Sequence, residues 1–526
     1  MNPLSRALNR CSYGYQLKSG TTSTTVAHTF YMDDLKLFAE TKEKLQLLLQ
    51  LVSTFSNDIY MEFGIDKCRL VNLHRGKVLD ADSFRINERE EIRCMVEGES
   101  YKYLGFLQLK GIHHTVIKKE LQGRFLHRVN SILNSLLSAG NKIKAINTFA
   151  VPLLTYSFGV VKWTKTDLEA IERALRVSLT KYRSHHPKSA TERVTLPRIE
   201  GGIGVTDIQA LCVSQIQQLR QYFRESQNRH DIYRTVCRAD HGSSALHLAQ
   251  EEYQLNCDLK TVEEKVASWK QKELHGTHPH QLEQAQIDKV ASNTWLVRGE
   301  LFSETESFMV AIQDRVVATK NYRRYILHEN IEDRCRKCNL VGESIEHVVA
   351  GCQALAEIAY LGRHNAVAKI VHQQLALKHD LVNQYVPCYK YLPDPVLENS
   401  CIKLYWDREI ITDVLIRANR PDIVVYDKRM KRATIIDIAV PLDRNLQSTF
   451  STKITKYHDL AEELKQMWQL EEVRIVPVII SATGIVPCTL LRSLDELELR
   501  RELPNIQKAV ILGTCNTVRR FLNHHN

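Results

Sequence analysis

Three groupings of residues in this sequence have types and spacings that could do chemistry. The first is Tyr31-Met32-Asp33-Asp34, set between the apolar, β-prone runs Val26 to Tyr31 and Leu35 to Ala39. This pattern predicts a tight hairpin with Asp33 and Asp34 at its tip. Adjacent carboxylates repel unless a divalent cation neutralises them, and two-metal phosphoryl transfer uses such acids to clamp the attacking and leaving oxygens. An ordinary Asp-Asp turn is the competing reading. The second grouping is Cys335-x-x-Cys338, with His347 eight intervening residues later and Cys352 four further on. Tetrahedral Zn²⁺ takes Cys₃His sets of this kind, and with no position left open the expected role is structural, presenting Arg336 and Lys337 to nucleic acid. A reduced, buried cysteine cluster is the alternative. The third is Asp422 and Asp437, fourteen residues apart on a predicted hairpin that brings both carboxylates to one end of the ladder. Such a pair can hold Mg²⁺ and, through it, a water for attack on a phosphodiester.

The elements that must position these groups follow from periodicity. Leu45, Leu48, Leu49, Val52, Phe55 and Ile59 mark a helix from Thr41 that stops at Gly64, before Ile65-Asp66-Lys67-Cys68. Tyr101 to Phe106 reads as a further hairpin strand. Val116 to Leu137 is a basic amphipathic helix carrying Lys118, Lys119, Arg124, His127 and Arg128, and a second helix from Lys142 is expected to break at Pro152. Leu196-Pro197-Arg198-x-Glu200-Gly201-Gly202-Ile203-Gly204 is a glycine-rich turn, and without a following Lys-Ser/Thr it is not a phosphate loop. The stretch from Ile208 to Ile331 reads as largely helical, with aromatic and basic residues mixed at Tyr322-Arg323-Arg324-Tyr325. Ile423 to Tyr426 and Ala433 to Val440 form the hairpin of the third grouping. The helix Thr449 to Trp468 then brings Lys453, Lys456 and Tyr457 onto neighbouring turns, with Lys456 the first choice to face a phosphate and Lys453 the second. Tyr457 is either part of that site or core, because Phe450, Ile454, Leu460 and Leu464 form the apolar stripe. Val473 to Ile480 reads as a buried strand, and Leu494 to Leu522 as helical with a break at Pro504.

Taken together, the paired Asp hairpin, the amphipathic helix, Gly64-x-x-Lys67-Cys68 and Tyr101-x-Tyr103-Leu104-Gly105-Phe106 resemble the second half of a reverse-transcriptase palm, and most closely that of non-LTR retrotransposon polyproteins. The resemblance implies that Asp33 is a metal ligand, Asp34 its partner, Lys67 an acid for the leaving pyrophosphate, and Tyr103 to Phe106 the grip on a primer end. The Cys₃His set resembles the knuckle that precedes the nuclease in the site-specific members. Tyr360-x-x-Arg363-His364-Asn365 is shared with the same family; for His364 a metal role is open, with a structural or DNA-contacting role preferred. Arg420-Pro421-Asp422 with Asp437 resembles a restriction-like PD-(D/E)xK endonuclease. The lysine expected two positions after the second acid is replaced by Ala439, which puts Lys456 or Lys453 in its place. The implied architecture is multidomain α+β: a partial palm over 1–110, a helical thumb over 111–207, a mostly helical linker over 208–330, a zinc knuckle region over 331–380 and an α/β nuclease over 381–526. Element RNA and target DNA are the implied partners, with structural Zn²⁺, catalytic Mg²⁺ and a nuclear location. Asn2-Pro3-Leu4-Ser5 resembles the end of a motif that follows an upstream palm strand, and no acid precedes Asp33, so polymerisation by this chain alone is not expected. A non-catalytic nucleic-acid-binding protein or decayed remnant is the alternative, and a polymerase completed by a separate upstream chain is a third reading.

Composition is compatible with this. A length of 526 residues suits about three domains, and 44% hydrophobic with 25% charged residues is globular, not disordered, material. A net charge of +10 permits a polyanionic partner. Thirteen cysteines, an odd number dispersed along the chain, point to reduced thiols in an intracellular protein. No apolar run approaches a membrane span, and the first 30 residues lack the apolar core of a secretory signal.

Overall fold

The computed structural model describes residues 2–19, 22–62, 64–79, 83–86, 91–108 and 110–523. It is mixed α+β and divides into two compact units, each assembled from separate stretches of chain. One comprises 1–129, 148–175 and 207–259; the other comprises 130–147, 176–206 and 260–526. None of the thirteen cysteines is in a disulfide. Among the described residues, no helix is long and apolar enough to cross a membrane.

In the first unit the strands His28–Tyr31 and Asp34–Leu37 pair antiparallel, with Tyr31 opposite Asp34. The turn itself is therefore Met32-Asp33, and Asp34 opens the return strand. Met32 adopts a φ of 55°, the left-handed conformation that a two-residue hairpin demands of its first turn residue. Helices Asn2–Arg10 and Lys42–Asp58 close over the hairpin, burying Leu4, Leu8, Leu48 and Val52 against Phe30, Leu35 and Leu37. Thr41 caps the second helix by accepting a hydrogen bond from the Lys44 amide at 3.3 Å. Pro152 falls in the first turn of the short helix Val151–Thr155, behind a π-helical stretch, Ile146–Ala150. A missing N–H costs nothing at that position.

The second unit is organised on a five-stranded sheet. Its elements, in chain order, are α1 (Leu361–Lys378), β1 (Val396–Glu398), β2 (Ile402–Trp406), β3 (Ile423–Asp427), β4 (Arg432–Ala439), α2 (Leu446–Met467), β5 (Glu472–Ile479), α3 (Cys488–Glu496) and α4 (Leu503–Asn523). The strands lie in sequence order, antiparallel from β1 to β4, and α2 carries the chain across to β5, which is parallel to β4. Side chains on β4 alternate between two apolar layers. Ile436 and Ile438 pack with Val367, Val371, Ile506 and Val510 of α1 and α4. Ile435 packs on the opposite side with Tyr457, Leu460 and Leu464 of α2. Asp437 shares the parity of Ile435 and so belongs to the α2 side.

A buried charge network fixes the glycine-rich turn. Arg193 is fully buried; it donates to Asp314 Oδ1 at 3.0 Å, Gln313 Oε1 at 2.9 Å and Gly201 O at 2.8 Å, and its guanidinium lies 4.8 Å from the centre of the Trp269 ring. Gly201 has a φ of 89°, and a Cβ at Gly202 would sit 2.0 Å from the Leu196 carbonyl oxygen, so both positions require glycine for this turn to close. Arg198 donates to Leu296 O at 2.6 Å and forms an ion pair with buried Glu306. The glycines thus serve packing of their own loop.

Two outcomes follow for stability. Removing one partner of a buried ion pair leaves an uncompensated charge, so Arg193→Ala should cost about 3–5 kcal/mol in denaturant unfolding. Burial holds His185 and His372 down to about 4 from the ordinary 6.5. Between those values the unfolded chain binds protons that the folded chain does not. Stability should therefore be complete above pH 6.5 and fall as the pH drops toward 4, with a slope approaching about 1.4 kcal/mol per pH unit for each histidine. Unfolding midpoints measured at half-unit steps check the slope, and His372→Gln should reduce it by one proton.

Candidate functional site

The ladder between β3 and β4 pairs Ile423 with Ile436; Asp422 comes just before the first residue of β3, and Asp437 follows Ile436 on β4, so both acids lie at the same end of the ladder. The backbone of Asp422 is anchored from the other side as well, since the Asp407 amide donates to the Asp422 carbonyl at 2.8 Å. Arg420 holds the same corner by donating to both oxygens of Asp407 at 2.9 Å. Asp422 Oδ2 accepts a hydrogen bond from the Ile438 amide at 2.6 Å and lies 3.1 Å from His364 Nε2. Its side chain is 21% exposed, whereas that of Asp437 is 3% exposed.

From the α2 side, Lys453 Nζ forms an ion pair with Asp437 Oδ2, outside hydrogen-bond geometry, which leaves that oxygen without a hydrogen-bond donor. Lys456 Nζ is 4.0 Å from Asp437 Oδ1 and donates to Tyr457 Oη at 2.8 Å. From the sequence Lys456 is expected to lie ahead of Lys453; the contacts place Lys453 nearer Asp437. Tyr457 is 1% exposed within the α2 core layer, and its hydroxyl donates to Arg420 O at 3.2 Å; burial, then the nearby Asp437 charge, pushes its phenol well up. Burial pushes the His364 imidazole down, but the Asp422 carboxylate outweighs it and holds the ring above its ordinary value.

A second constellation lies in the same unit. Cys335, Cys338, His347 and Cys352 bring their ligand atoms within 4.8 Å of one another and could hold a metal ion such as zinc. A tetrahedral ion about 2.3 Å from each sulfur sets sulfur atoms roughly 3.8 Å apart. Cys335 Sγ and Cys352 Sγ are 3.9 Å apart, and Cys338 Sγ is 3.3 Å from His347 Nε2. Tyr360 locks the surrounding backbone: its hydroxyl oxygen lies 3.1 Å from His347 O and 2.9 Å from Val348 O, and accepts from the Cys352 amide at 3.1 Å. Arg336 is not presented outward. It is mostly buried and pairs with Glu343, so the intervening residues of the Cys-x-x-Cys turn serve packing at least in part.

The hairpin acids of the first unit are placed differently. Asp33 and Asp34 are exposed, and among the described residues no third Cys, His, Asp or Glu gathers with them. Lys67 is exposed on the single turn Ile65–Lys67 and pairs with neither carboxylate among those residues. Tyr101-Lys102-Tyr103 does pair with Phe106-Leu107-Gln108 as a hairpin, and Lys36 lies 5.3 Å from the ring centres of Tyr101 and Tyr103. On the basic helix His114–Leu133, Lys118 is committed to Asp167 at 2.6 Å and Arg128 to Phe149 O at 2.7 Å.

No protein-family model matches this chain, and no curated protein matches its sequence. Sequence reasoning had no signal for the approach of His364 and the Ile438 amide to Asp422, because His364 lies 58 residues away along the chain. Elemental analysis of the purified protein should find one metal ion per chain, lost in Cys338→Ser. A folded, metal-free parent would remove the Cys₃His assignment.

Proposed function

We propose that this chain is a metal-dependent DNA nickase, built like the endonuclease end of a non-LTR retrotransposon polyprotein and carrying a polymerase-like remnant that does not polymerise by itself. The observation that carries the reading is the placement of Asp422 and Asp437 at the same end of the β3–β4 ladder, with Lys453 paired to Asp437. Asp422 and Asp437, at one end of adjacent strands, are hard oxygen donors of the kind that Mg²⁺ takes. When bound there, the ion supplies Lewis acidity and a water of lowered pKa. The protein's own residues do the rest. Asp422 and Asp437 fix the donor oxygens. Lys453, beside Asp437, would face the phosphate and offset the charge that grows there as a water oxygen bonds to phosphorus and the P–O bond to the leaving strand breaks, and Tyr457 holds Lys456 nearby.

Several features support the remaining parts of the reading. The Cys₃His set suits one structural Zn²⁺, because all four positions are filled by protein. A net charge of +10 permits DNA and RNA as partners, and a nuclear location goes with such partners. The exposed pair Asp33 and Asp34, without a third carboxylate among the described residues, supports the view that the hairpin holds no competent two-metal site on its own.

Nicking of supercoiled DNA in Mg²⁺ tests the reading. The full chain should convert the supercoiled form to the open circle, and Asp422→Ala and Asp437→Ala should each abolish the conversion, since each removes a carboxylate that would hold the ion. Equal activity in parent and variants ends the assignment. Salt-sensitive DNA binding without any cleavage favours the non-catalytic alternative.

A further inference from the structure

The segment Tyr360-x-x-Arg363-His364-Asn365 has three anchors in the structure, and they run from the Cys₃His cluster to the acid pair. Tyr360 clamps the backbone of His347, Val348 and Cys352. Arg363, 3% exposed, donates to Val349 O at 3.0 Å and to Thr514 Oγ1 at 2.9 Å, and its guanidinium lies 5.2 Å from the Tyr360 ring centre. His364, the next residue at the start of α1, reaches the end of the β3–β4 ladder. Its Nε2 is 3.1 Å from Asp422 Oδ2 and 3.1 Å from Ile438 O. Both of these atoms are acceptors, so Nε2 must carry the hydrogen. A nitrogen bearing its hydrogen has no lone pair for a cation. Nδ1 is occupied as well, 3.0 Å from Asn365 Oδ1. The ring is thus placed against the carboxylate as a donor and not beside it as a fellow ligand.

We propose that His364 is a positioning residue. Together with the Ile438 amide it pins Asp422 Oδ2, which fixes the carboxylate rotamer and leaves Oδ1, free of hydrogen bonds among the described residues, as the oxygen offered to a divalent cation. Two donors on one oxygen define the carboxylate plane, which a single backbone amide cannot do. Orienting partners of this kind typically govern metal affinity by about 10–100-fold. The inference rests on the nickase reading for its consequence in cleavage, but the positioning itself can be measured as metal binding.

The test uses the full chain loaded at its Cys₃His site. Mn²⁺ binding is followed by the electron paramagnetic resonance signal of the free ion, and nicking is measured against Mg²⁺ concentration. His364→Leu should weaken Mn²⁺ binding about 10–100-fold and raise the Mg²⁺ concentration for half-maximal nicking by a similar factor, with the rate at saturating Mg²⁺ largely recovered. His364→Gln, whose terminal amide can donate from nearly the position of Nε2, should restore most of the affinity, and this separates positioning from a general loss of folding. Binding in His364→Leu equal to the parent, or a loss as great in His364→Gln as in His364→Leu, overturns the proposal. Tight Mn²⁺ binding without nicking in the parent, with the His364→Leu defect present, sinks the nickase reading and leaves the positioning role standing. Mn²⁺ binding unchanged in Asp422→Ala removes both.

Discussion

The alternation of side chains along Arg432–Ala439 is the constraint on which the second unit depends. Ile436 and Ile438 are committed to the layer beneath α1 and α4, while Ile435 is committed to the layer beneath α2. Between these apolar anchors Asp437 has no choice of face. It must point toward α2, and the same pairing that seats Ile423 opposite Ile436 brings Asp422 to the same end of the ladder. A one-residue slip would exchange the layers, so the geometry of the acid pair is protected by the burial of its neighbours. Lysines one helical turn apart on α2 then meet a carboxylate held at 3% exposure, and their charge offsets the cost of burying it between the apolar layers.

What could be read from the sequence follows the range of the interactions involved. The Cys₃His cluster is compact in sequence, and its ligands are brought together by one turn and one short helical segment, so spacing alone was informative. The placement of Asp422 and Asp437 at one end of the ladder is likewise local, since a hairpin's register is set by its own turn and alternation. The order of Lys453 and Lys456 was not legible. Both lie on the face of α2 that looks at β4, and which one reaches farther depends on a rotation of the helix set by Tyr457, Leu460 and Leu464 packing on Ile435. His364 was beyond reach for a different reason. It acts across 58 residues, through a helix whose docking is decided by Val367 and Val371 against the sheet.

The hairpin of the first unit shows how far a four-residue motif carries. Alternating apolar residues and a two-residue turn are enough to build it, and Met32 accepts a left-handed backbone to do so. Chemistry needs more than the turn, because a metal site is a property of the groups converging from separate strands. Asp33 and Asp34 face solvent, and the described residues bring no further acid to them.

The Arg193–Asp314 pair carries a consequence for the order in which this protein can mature. The two partners are 121 residues apart, and both are fully sealed from water. As the chain leaves the ribosome, Arg193 emerges well before the carboxylate that neutralises it, and a guanidinium cannot enter an apolar interior uncompensated. The stretch around Leu196–Gly204 must stay open and hydrated until Gln313 and Asp314 have been synthesised. This part of the fold is completed only once Gln313 and Asp314, at the end of the helix Ser303–Gln313, have been made.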